Sequence, residues 1–271
     1  MADPYVRQAT GVFVATTGSV AVTAGDAVYA ASGVMEKADA SDATKYAEAI
    51  AVDSYAVGET GVYCRTCIIV DTDAPYTKGD QYFLSETAGA ITATRPTTAA
   101  SLRQCLGFGI STRELYVDIP PVKELNVPLV VTGATSAFVL IDTGNFGGES
   151  QDAQNELCTA VAMIPENCVG LEIAYLWYAA EATVGTPTFD ITVGSAVDGA
   201  QHDAVTADAT LANQAREGAA ADEMQMLDIT TGFDATNIWR PGALVSLKAL
   251  QDDAGTDISV IFTGNLVCKV V

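Results

Sequence analysis

Apolar residues in this chain recur mostly at every second position, in short runs that end at Gly, Pro, Asp or Thr. The clearest run covers residues 188–193, in which Phe189, Ile191 and Val193 alternate with polar residues. Successive side chains of a β-strand point to opposite faces, so this alternation is typical of a strand with one buried face. The dominant period of two predicts an all-β chain.

Segments with helical character are few and short. Residues 43–51 and 211–227 are the best candidates, and Gly218 interrupts the second. Further alternating runs each place apolar residues on one face: Val12 and Val14, Val20 and Val22, and Leu115, Val117 and Ile119.

A proline-rich segment divides the chain. Residues 119–128 contain three prolines, which keep the backbone extended and remove donors from a β-ladder. We therefore predict a β-barrel-like domain at 1–120, a Pro-rich linker at 121–130 and a second domain at 131–271. Both domains have an ordinary size.

The first domain contains a weak internal repeat. Thr-Ala-Gly-Asp-Ala-Val-Tyr at 23–29 recurs as Thr-Lys-Gly-Asp-Gln-Tyr-Phe at 77–83, and a second glycine follows each copy. Glycine supplies a positive φ for a tight turn and Asp binds neighbouring amides, so each copy predicts a turn, a strand and a hairpin. Two such elements that close on each other predict a small barrel. The alternative is that Gly-Asp turns recur by chance.

The second domain is predicted to be a jelly-roll β-sandwich, because several short strands with Gly and Asp turns follow one another. Its longest strand, residues 171–180, carries large side chains on both faces: Tyr175 and Trp177 on one, Leu176 and Tyr178 on the other. A strand that is apolar on both faces is buried on both, by a second sheet and a loop or by another subunit. These four residues are our candidate oligomer interface.

The charge is strongly acidic. Thirteen Lys and Arg against 34 Asp and Glu give a net charge of −21. Such a surface repels phosphate backbones and anionic lipid, which argues against nucleic-acid and membrane partners. The longest apolar runs also fall short of the ~20 residues of a membrane span.

The spacing of the six cysteines does not indicate a metal site. Cys64 and Cys67 are spaced like half a zinc knuckle, but no second pair has that spacing and the segment 62–70 reads as a strand. We interpret the cysteines as free thiols that fill a core. We expect no metal and no cofactor.

The sequence contains no recognisable catalytic motif either. The single histidine, His202, lies in a polar loop without a nucleophile motif. Asp71 with Asp73, and the cluster at 252–257, offer oxygens for calcium but match no calcium loop, so we interpret them as solvated turns. Trp177 and Trp239 are candidates for stacking on a sugar, but a core or interface role fits their apolar strands better. The sequence predicts a protein that is not an enzyme.

Both domains resemble parts of tailed-phage virion proteins. The first is similar to modules with a Gly-Asp strand, a Gly turn and a closing strand. The matching segments are 25–29, 79–85, 88–89 with Pro96, 107–111 and 117–120. The second is similar to jelly-roll modules of phage fibres and spikes through residues 233–247, although Ala243 stands where the pattern has Asp.

The resemblance implies a structural virion protein: a capsid decoration, a head spike or a tail fibre. It implies a homotrimer in which one domain anchors to the major capsid or tail protein and the other projects, and we expect the first to anchor. The alternative is a carbohydrate-binding host-adsorption module that takes a host surface glycan. The N-terminus lacks the basic start and apolar core of a signal peptide. We therefore expect synthesis in the host cytoplasm and a location in the virion.

Overall fold

The structure is a computed structural model. It describes the chain except residues 1–3, 74–75, 99, 135–137, 142–145, 152–156, 181–187, 197–208, 216–223, 232–238 and 252–258. The regular secondary structure of the described residues is almost entirely β, apart from a turn of 3₁₀ helix at Ala43–Lys45 and the helical residues Thr230 and Thr231. The predicted all-β class, with a small barrel and a sandwich-like second part, is confirmed. None of the helices in the described part of the chain is long and apolar enough to cross a membrane.

The chain divides into two compact units. Unit 1 comprises Met1–Lys123 with Val270–Val271, and unit 2 comprises Glu124–Lys269. The segment predicted to be a Pro-rich linker, 121–130, contains the beginning of a long strand, Lys123–Ala134. Its pairs with the strand at Leu157–Met163 begin at Val130, two residues after Pro128.

A closed five-stranded barrel forms the first half of unit 1, in the order β2-β4-β3-β5-β6. Its strands are β2 (Phe13–Thr17), β3 (Ala27–Ala31), β4 (Val34–Lys37), β5 (Ala49–Ala51) and β6 (Thr60–Cys64).

Tyr63 lies at the centre of the barrel core. It is fully buried, and its hydroxyl is 2.8 Å from the Thr17 hydroxyl. The rings of Phe13 and Tyr55 pack against it, with centroids 5.9 and 5.8 Å away. An interior of this size is filled by side chains, so the barrel holds a core and no channel.

An open six-stranded sheet forms the rest of unit 1, in the order β1-β7-β11-β10-β8-β9. Its strands are β1 (Tyr5–Thr10), β7 (Thr66–Val70), β8 (Gln81–Leu84), β9 (Ile91–Thr92), β10 (Cys105–Ser111) and β11 (Glu114–Asp118). Leu115, Val117 and Ile119 are all buried, as their alternation predicted. Residues 62–70, predicted as one strand, instead divide at Arg65 between β6 of the barrel and β7 of the sheet.

The internal repeat has a structural counterpart. In the first copy the Thr23 carbonyl accepts a hydrogen bond from the Asp26 amide at 3.0 Å, and Gly25 has a φ of +88°. The Gly25 amide donates to the Ala51 carbonyl, and the Ala51 amide donates to the Asp26 carbonyl, both at 2.9 Å. The turn is thereby joined to the returning strand β5.

The second copy repeats this bonding pattern. The Asp80 amide donates to the Thr77 carbonyl at 3.2 Å, and Gly79 has a φ of +90°. The Gly79 amide donates to the Gly109 carbonyl at 2.8 Å, and the Gly109 amide donates to the Asp80 carbonyl at 3.0 Å. The prediction that the two copies close one barrel together is wrong, because the first belongs to the barrel and the second to the open sheet. The barrel instead closes through β2 and β6.

A buried glutamine links the segments that precede β5 and β10. Gln104 is 1% exposed. Its side chain accepts from the Ala47 amide and donates to the Ala47 carbonyl, both at 2.8 Å. One side chain thereby satisfies both polar groups of a buried peptide segment that precedes β5.

We expect Gln104→Leu to lower the free energy of unfolding of unit 1 by about 2 to 3 kcal/mol, because it leaves two buried backbone groups unpaired. The urea midpoint of tyrosine fluorescence measures the change. The control is Gln81→Leu, at an exposed position of β8, which should leave the midpoint unchanged. Equal effects of the two substitutions would contradict the assigned role of Gln104.

Unit 2 is a curled, sandwich-like sheet of ten strands. The strands are β12 (Lys123–Ala134), β13 (Phe138–Ile141), β14 (Phe146–Gln151), β15 (Leu157–Met163), β16 (Cys168–Ala180), β17 (Thr188–Ala196), β18 (Ala209–Ala215), β19 (Met224–Asp228), β20 (Leu244–Gln251) and β21 (Ser259–Val270). The main path runs β13-β14-β21-β12-β15-β20-β17-β18, and β16 pairs with β21 and β19.

Alternation accounts for the core of unit 2. Ile191 and Val193 are fully buried, as predicted, and so are Val245 and Ala249 on the neighbouring strand β20. Both helical candidates are wrong. Residues 43–51 contain one 3₁₀ turn and β5, and the described parts of 211–227 are strands β18 and β19. Ala and Gln are good helix formers, but intrinsic helix propensity amounts to less than about 1 kcal/mol per residue, and pairing within the sheet overrides it.

Candidate functional site

The four predicted interface residues fall on a strand inside the sheet, β16, between β19 and β21. Leu176 is 2% exposed and belongs to the core of its own unit. A Cβ atom at Gly264 of β21 would lie 2.7 Å from both Leu176 and Leu129 side chains. The inward face of β16 is therefore covered from within the unit. The side chain of Tyr178 lies outside the described part of the structure.

Tyr175 and Trp177 occupy the opposite face of β16 and are half-buried. Their rings meet edge to face, with centroids 6.3 Å apart and an interplanar angle of 87°. The Asn265 side-chain amide donates to Asn126 Oδ1 at 2.9 Å and to the Tyr175 hydroxyl at 3.4 Å. Met226, opposite Trp177 on β19, is 48% exposed. We name these five residues the aromatic strip.

A second surface lies on the outward side of β12, β15 and β20. Val130 pairs with Val161, and Met163 pairs with Leu244. Exposure is 55% for Val130, 67% for Met163 and 45% for Leu244. Ser246 lies beside Val161. We name Val130, Val161, Met163 and Leu244 the apolar face.

The apolar face carries little charge. Leu244 pairs with Ala196, and Ser246 pairs with Gly194, so small uncharged residues continue it onto β17. Among the described outward side chains of β15, β17 and β20, the charged ones are Lys248 and Asp190. Both lie toward the end of the strands away from Met163. In a chain of net charge −21, this is a surface on which two copies can approach with little repulsion.

Unit 1 also exposes apolar side chains. Val12 and Val14 share one face of the barrel wall, as their alternation predicted, but that face is outward: they are 51% and 65% exposed. Val14 pairs with Val62 of β6. On the open sheet, Phe108 is 46% exposed, and its ring lies 5.3 Å from that of Tyr116.

The titratable residues form no catalytic arrangement in the part of the chain that the structure describes. His202 and the acidic cluster at 252–257 lie outside it. The Asp73 amide donates to Asp71 Oδ1 at 2.8 Å, which is the geometry of a local turn. Groups of three or more metal-ligating side chains are absent from the described residues. Trp239 is 6% exposed and cannot stack on a sugar.

A polar recess of about 240 Å³ lies beside Glu86 in unit 1. The Ser101 hydroxyl donates to Glu86 at 2.7 Å, and hydrogen bonds from Ser101 and Thr98 lower the pKa of this carboxyl. A carboxylate held in its charged form by hydroxyl donors is a poor general acid or base at neutral pH. The lining is Ser85, Glu86, Thr87, Thr92, Thr94, Arg95, Pro96 and Thr97.

The apolar face was not predicted from the sequence, although the sequence contains a signal for it. On β20, Val245, Leu247 and Ala249 point inward, so Leu244 belongs to the outward set with Ser246 and Lys248. An apolar residue on the polar side of an alternating strand marks an unpartnered surface. The pairing of Leu244 with Met163 could be identified only from the structure.

Comparison with known proteins yields no family. No family model matches the chain, and no curated protein matches it. Among solved structures, the chain is similar to a xylan-binding module, CBM15, at 11% identity and a TM-score of 0.29, over 55% of this chain and 96% of that one.

The chain is also similar to structures of infectious bursal disease virus. The likeness to the Gx strain has 13% identity and a TM-score of 0.32, over 99% of this chain and 58% of that one. The likeness to the derived T=1 particles has the same identity and TM-score and covers 70% of that chain. The structural neighbours thus include viral particle proteins and a carbohydrate-binding module. TM-scores this low carry no argument about function.

Proposed function

We propose that the protein is a structural subunit of a viral particle that assembles with copies of itself through the apolar face of unit 2. The observation that carries the proposal is the exposure of Met163, Val130 and Leu244 at 67%, 55% and 45%. A paired, contiguous apolar surface of this kind marks an interaction site on a soluble domain.

Electrostatics supports a second copy as the occupant. Identical subunits of net charge −21 repel one another, and the centres of protein interfaces are depleted of charge. The apolar face meets this condition, because the residues that pair with Ser246 and with its neighbour Leu244 have small or apolar side chains. Repulsion elsewhere on the surface restricts association to this face and keeps the assembly discrete.

The finer identity rests on the resemblance of both domains to tailed-phage modules. We propose a capsid decoration, head spike or tail fibre that forms a homotrimer. In this proposal unit 1 binds the major capsid or tail protein, and its outward valines Val12 and Val14 are the contact we expect. Unit 2 then projects from the particle and holds the three copies together.

Multi-angle light scattering of the purified chain tests self-assembly. We expect a mass near three times 28.1 kDa, with tighter association at high salt because salt screens the repulsion between acidic subunits. A mass of one chain at every salt and protein concentration would overturn the proposal.

A second candidate function is glycan binding at the aromatic strip. Trp177 and Tyr175 offer half-exposed ring surface beside the Asn126 and Asn265 amides. Apolar ring surface with a few convergent polar groups is the composition of a small-ligand site. This function is compatible with the first, because a projecting subunit is well placed to contact a host.

We expect Trp177→Ala to weaken binding of a host polysaccharide by about tenfold, measured on a glycan panel and then by calorimetry. Phe108→Ala, which removes an exposed ring from unit 1, is the control and should leave affinity unchanged. A panel on which the unmodified chain binds nothing would exclude this function.

A further inference from the structure

Two pairs of cysteines lie in contact, one pair in each unit. Cys64 ends β6, and Cys67 is the second residue of β7. They are 0% and 1% exposed, and their thiols hydrogen-bond to each other. The Cys64 thiol also contacts the Ile50 carbonyl at 3.8 Å. The pair lies where the chain passes from the barrel to the open sheet.

The second pair joins two strands that are distant in sequence. Cys168 begins β16, Cys268 lies near the end of β21, and the two strands pair. Both residues are 0% exposed, and their thiols hydrogen-bond to each other. The Cys168 thiol also donates to the Gly170 carbonyl at 3.2 Å. In both pairs, therefore, one thiol contacts a backbone carbonyl and accepts a hydrogen bond from the other thiol.

This arrangement makes the two thiols of a pair unequal. The hydrogen bond from Cys268 lowers the pKa of Cys168, and the same bond raises the pKa of Cys268, with burial acting in the same direction on Cys268. Likewise, the bond from Cys67 lowers the pKa of Cys64 and raises that of Cys67. A thiol with the lower pKa forms the attacking thiolate more readily.

We propose that Cys64–Cys67 and Cys168–Cys268 are disulfide sites that stay reduced during synthesis in a reducing compartment and close when the protein meets a disulfide oxidant. The inference is independent of the proposed function. It differs from the sequence interpretation, in which the cysteines only fill a core.

The chemistry balances with glutathione disulfide as the oxidant. The Cys168 thiolate attacks one sulfur of glutathione disulfide, so a mixed disulfide forms and one glutathione thiolate leaves. The thiolate of Cys268 then attacks the Cys168 sulfur and displaces the second glutathione. Each protein pair loses two protons and two electrons, and one glutathione disulfide becomes two glutathione thiols. The Cys64–Cys67 pair follows the same steps.

The two disulfides differ in how much each would stabilise its unit. A bond between Cys168 and Cys268 closes a loop of about 100 residues and ties β16 to β21, so it removes much entropy from the unfolded chain. A bond between Cys64 and Cys67 closes a very short loop and constrains the unfolded chain little. Oxidation is therefore expected to stabilise unit 2 more than unit 1.

The test uses the full chain with Cys105→Ala, which removes the exposed thiol. The protein is equilibrated in glutathione redox buffer, both folded and during refolding from urea, so that burial does not limit access. Intact mass should fall by about 2 Da for each disulfide, hence by about 4 Da. Trypsin cleaves after Arg65, between the first pair, and glutamyl endopeptidase cleaves after Glu166, between Cys158 and Cys168. The digest therefore identifies each bond.

We expect linked peptides for Cys64 with Cys67 and for Cys168 with Cys268, and a rise of about 10 °C in the unfolding temperature of unit 2 on oxidation. Adding Cys168→Ala should abolish that rise and leave the Cys64–Cys67 bond intact. Unchanged mass after refolding in the oxidising buffer would overturn the proposal. So would bonds that join cysteines of different pairs.

Discussion

Replacing Met163 and Leu244 together by glutamate is expected to convert the assembled protein into monomers without loss of the fold. The two side chains face each other across β15 and β20 and are 67% and 45% exposed. Two carboxylates per subunit at this position place like charges in contact in a chain that already carries −21. We expect self-association to weaken about a hundredfold or more, measured by light scattering over a dilution series.

The matched control adds the same charge elsewhere. Thr10→Glu with Thr60→Glu introduces two carboxylates at exposed positions of unit 1 and should leave the mass unchanged. Circular dichroism and the unfolding midpoint establish that both proteins are folded. If the variant of the apolar face keeps the mass of the unmodified protein, that face is not the interface.

Gly109→Ala is expected to lower the free energy of unfolding of unit 1 by about 3 kcal/mol, near the upper end for over-packing a structured site. A Cβ atom at this position would collide with the backbone carbonyl of Thr77. That carbonyl belongs to the turn whose hydrogen bonds to Gly109 hold the second copy of the repeat together. The strand must therefore move away from the turn, and the change is measured by urea unfolding.

Gly170→Ala is the control for this prediction. A Cβ atom there meets only the Lys269 side chain, at an ordinary contact distance of 3.7 Å or more. We expect a change within about 0.5 kcal/mol. Similar destabilisation by both substitutions would mean that loss of glycine in a strand, and not the close approach of Thr77, sets the cost.

The alternation of apolar residues was sufficient to predict the buried face of a strand that packs against its own unit. Ile191, Val193, Leu115 and Val117 are buried as predicted, because period two assigns the side chains of a strand to two faces. It was insufficient at Val14, which shares the alternating pattern but is 65% exposed. The period of two identifies which residues lie on the same face of a strand. Only the pairing of the strands determines which face is inside.

The repeat shows what short-range sequence can and cannot specify. Each Thr-x-Gly-Asp turn formed with the positive φ that its glycine allows. The partner of each copy depends on contacts distant in sequence. The first copy leads into β3 of the barrel, which pairs with β4 and β5, and the second joins an open sheet. The turn chemistry alone did not predict that they belong to different sheets.

The candidate site was located less well than the fold. Strand β16 was identified as unusually apolar, but Leu176 is in the core of its own unit, and Tyr175 and Trp177 lie on the face that is partly exposed. The apolar face was not predicted, because Met163 and Leu244 are 81 positions apart in the chain. They become neighbours only through the register of β15 with β20.

Assembly through the apolar face can be tested with a reporter placed on that face. Ser246→Cys, in the chain with Cys105→Ala, puts an exposed thiol beside Val161, and its rate of reaction with a maleimide is followed as protein concentration rises. A cysteine at Thr60 in the barrel serves as the reference. Assembly through the apolar face predicts that labelling at position 246 slows as the mass rises to that of the oligomer, while labelling at position 60 keeps its rate. Equal rates at both positions throughout the series would contradict it.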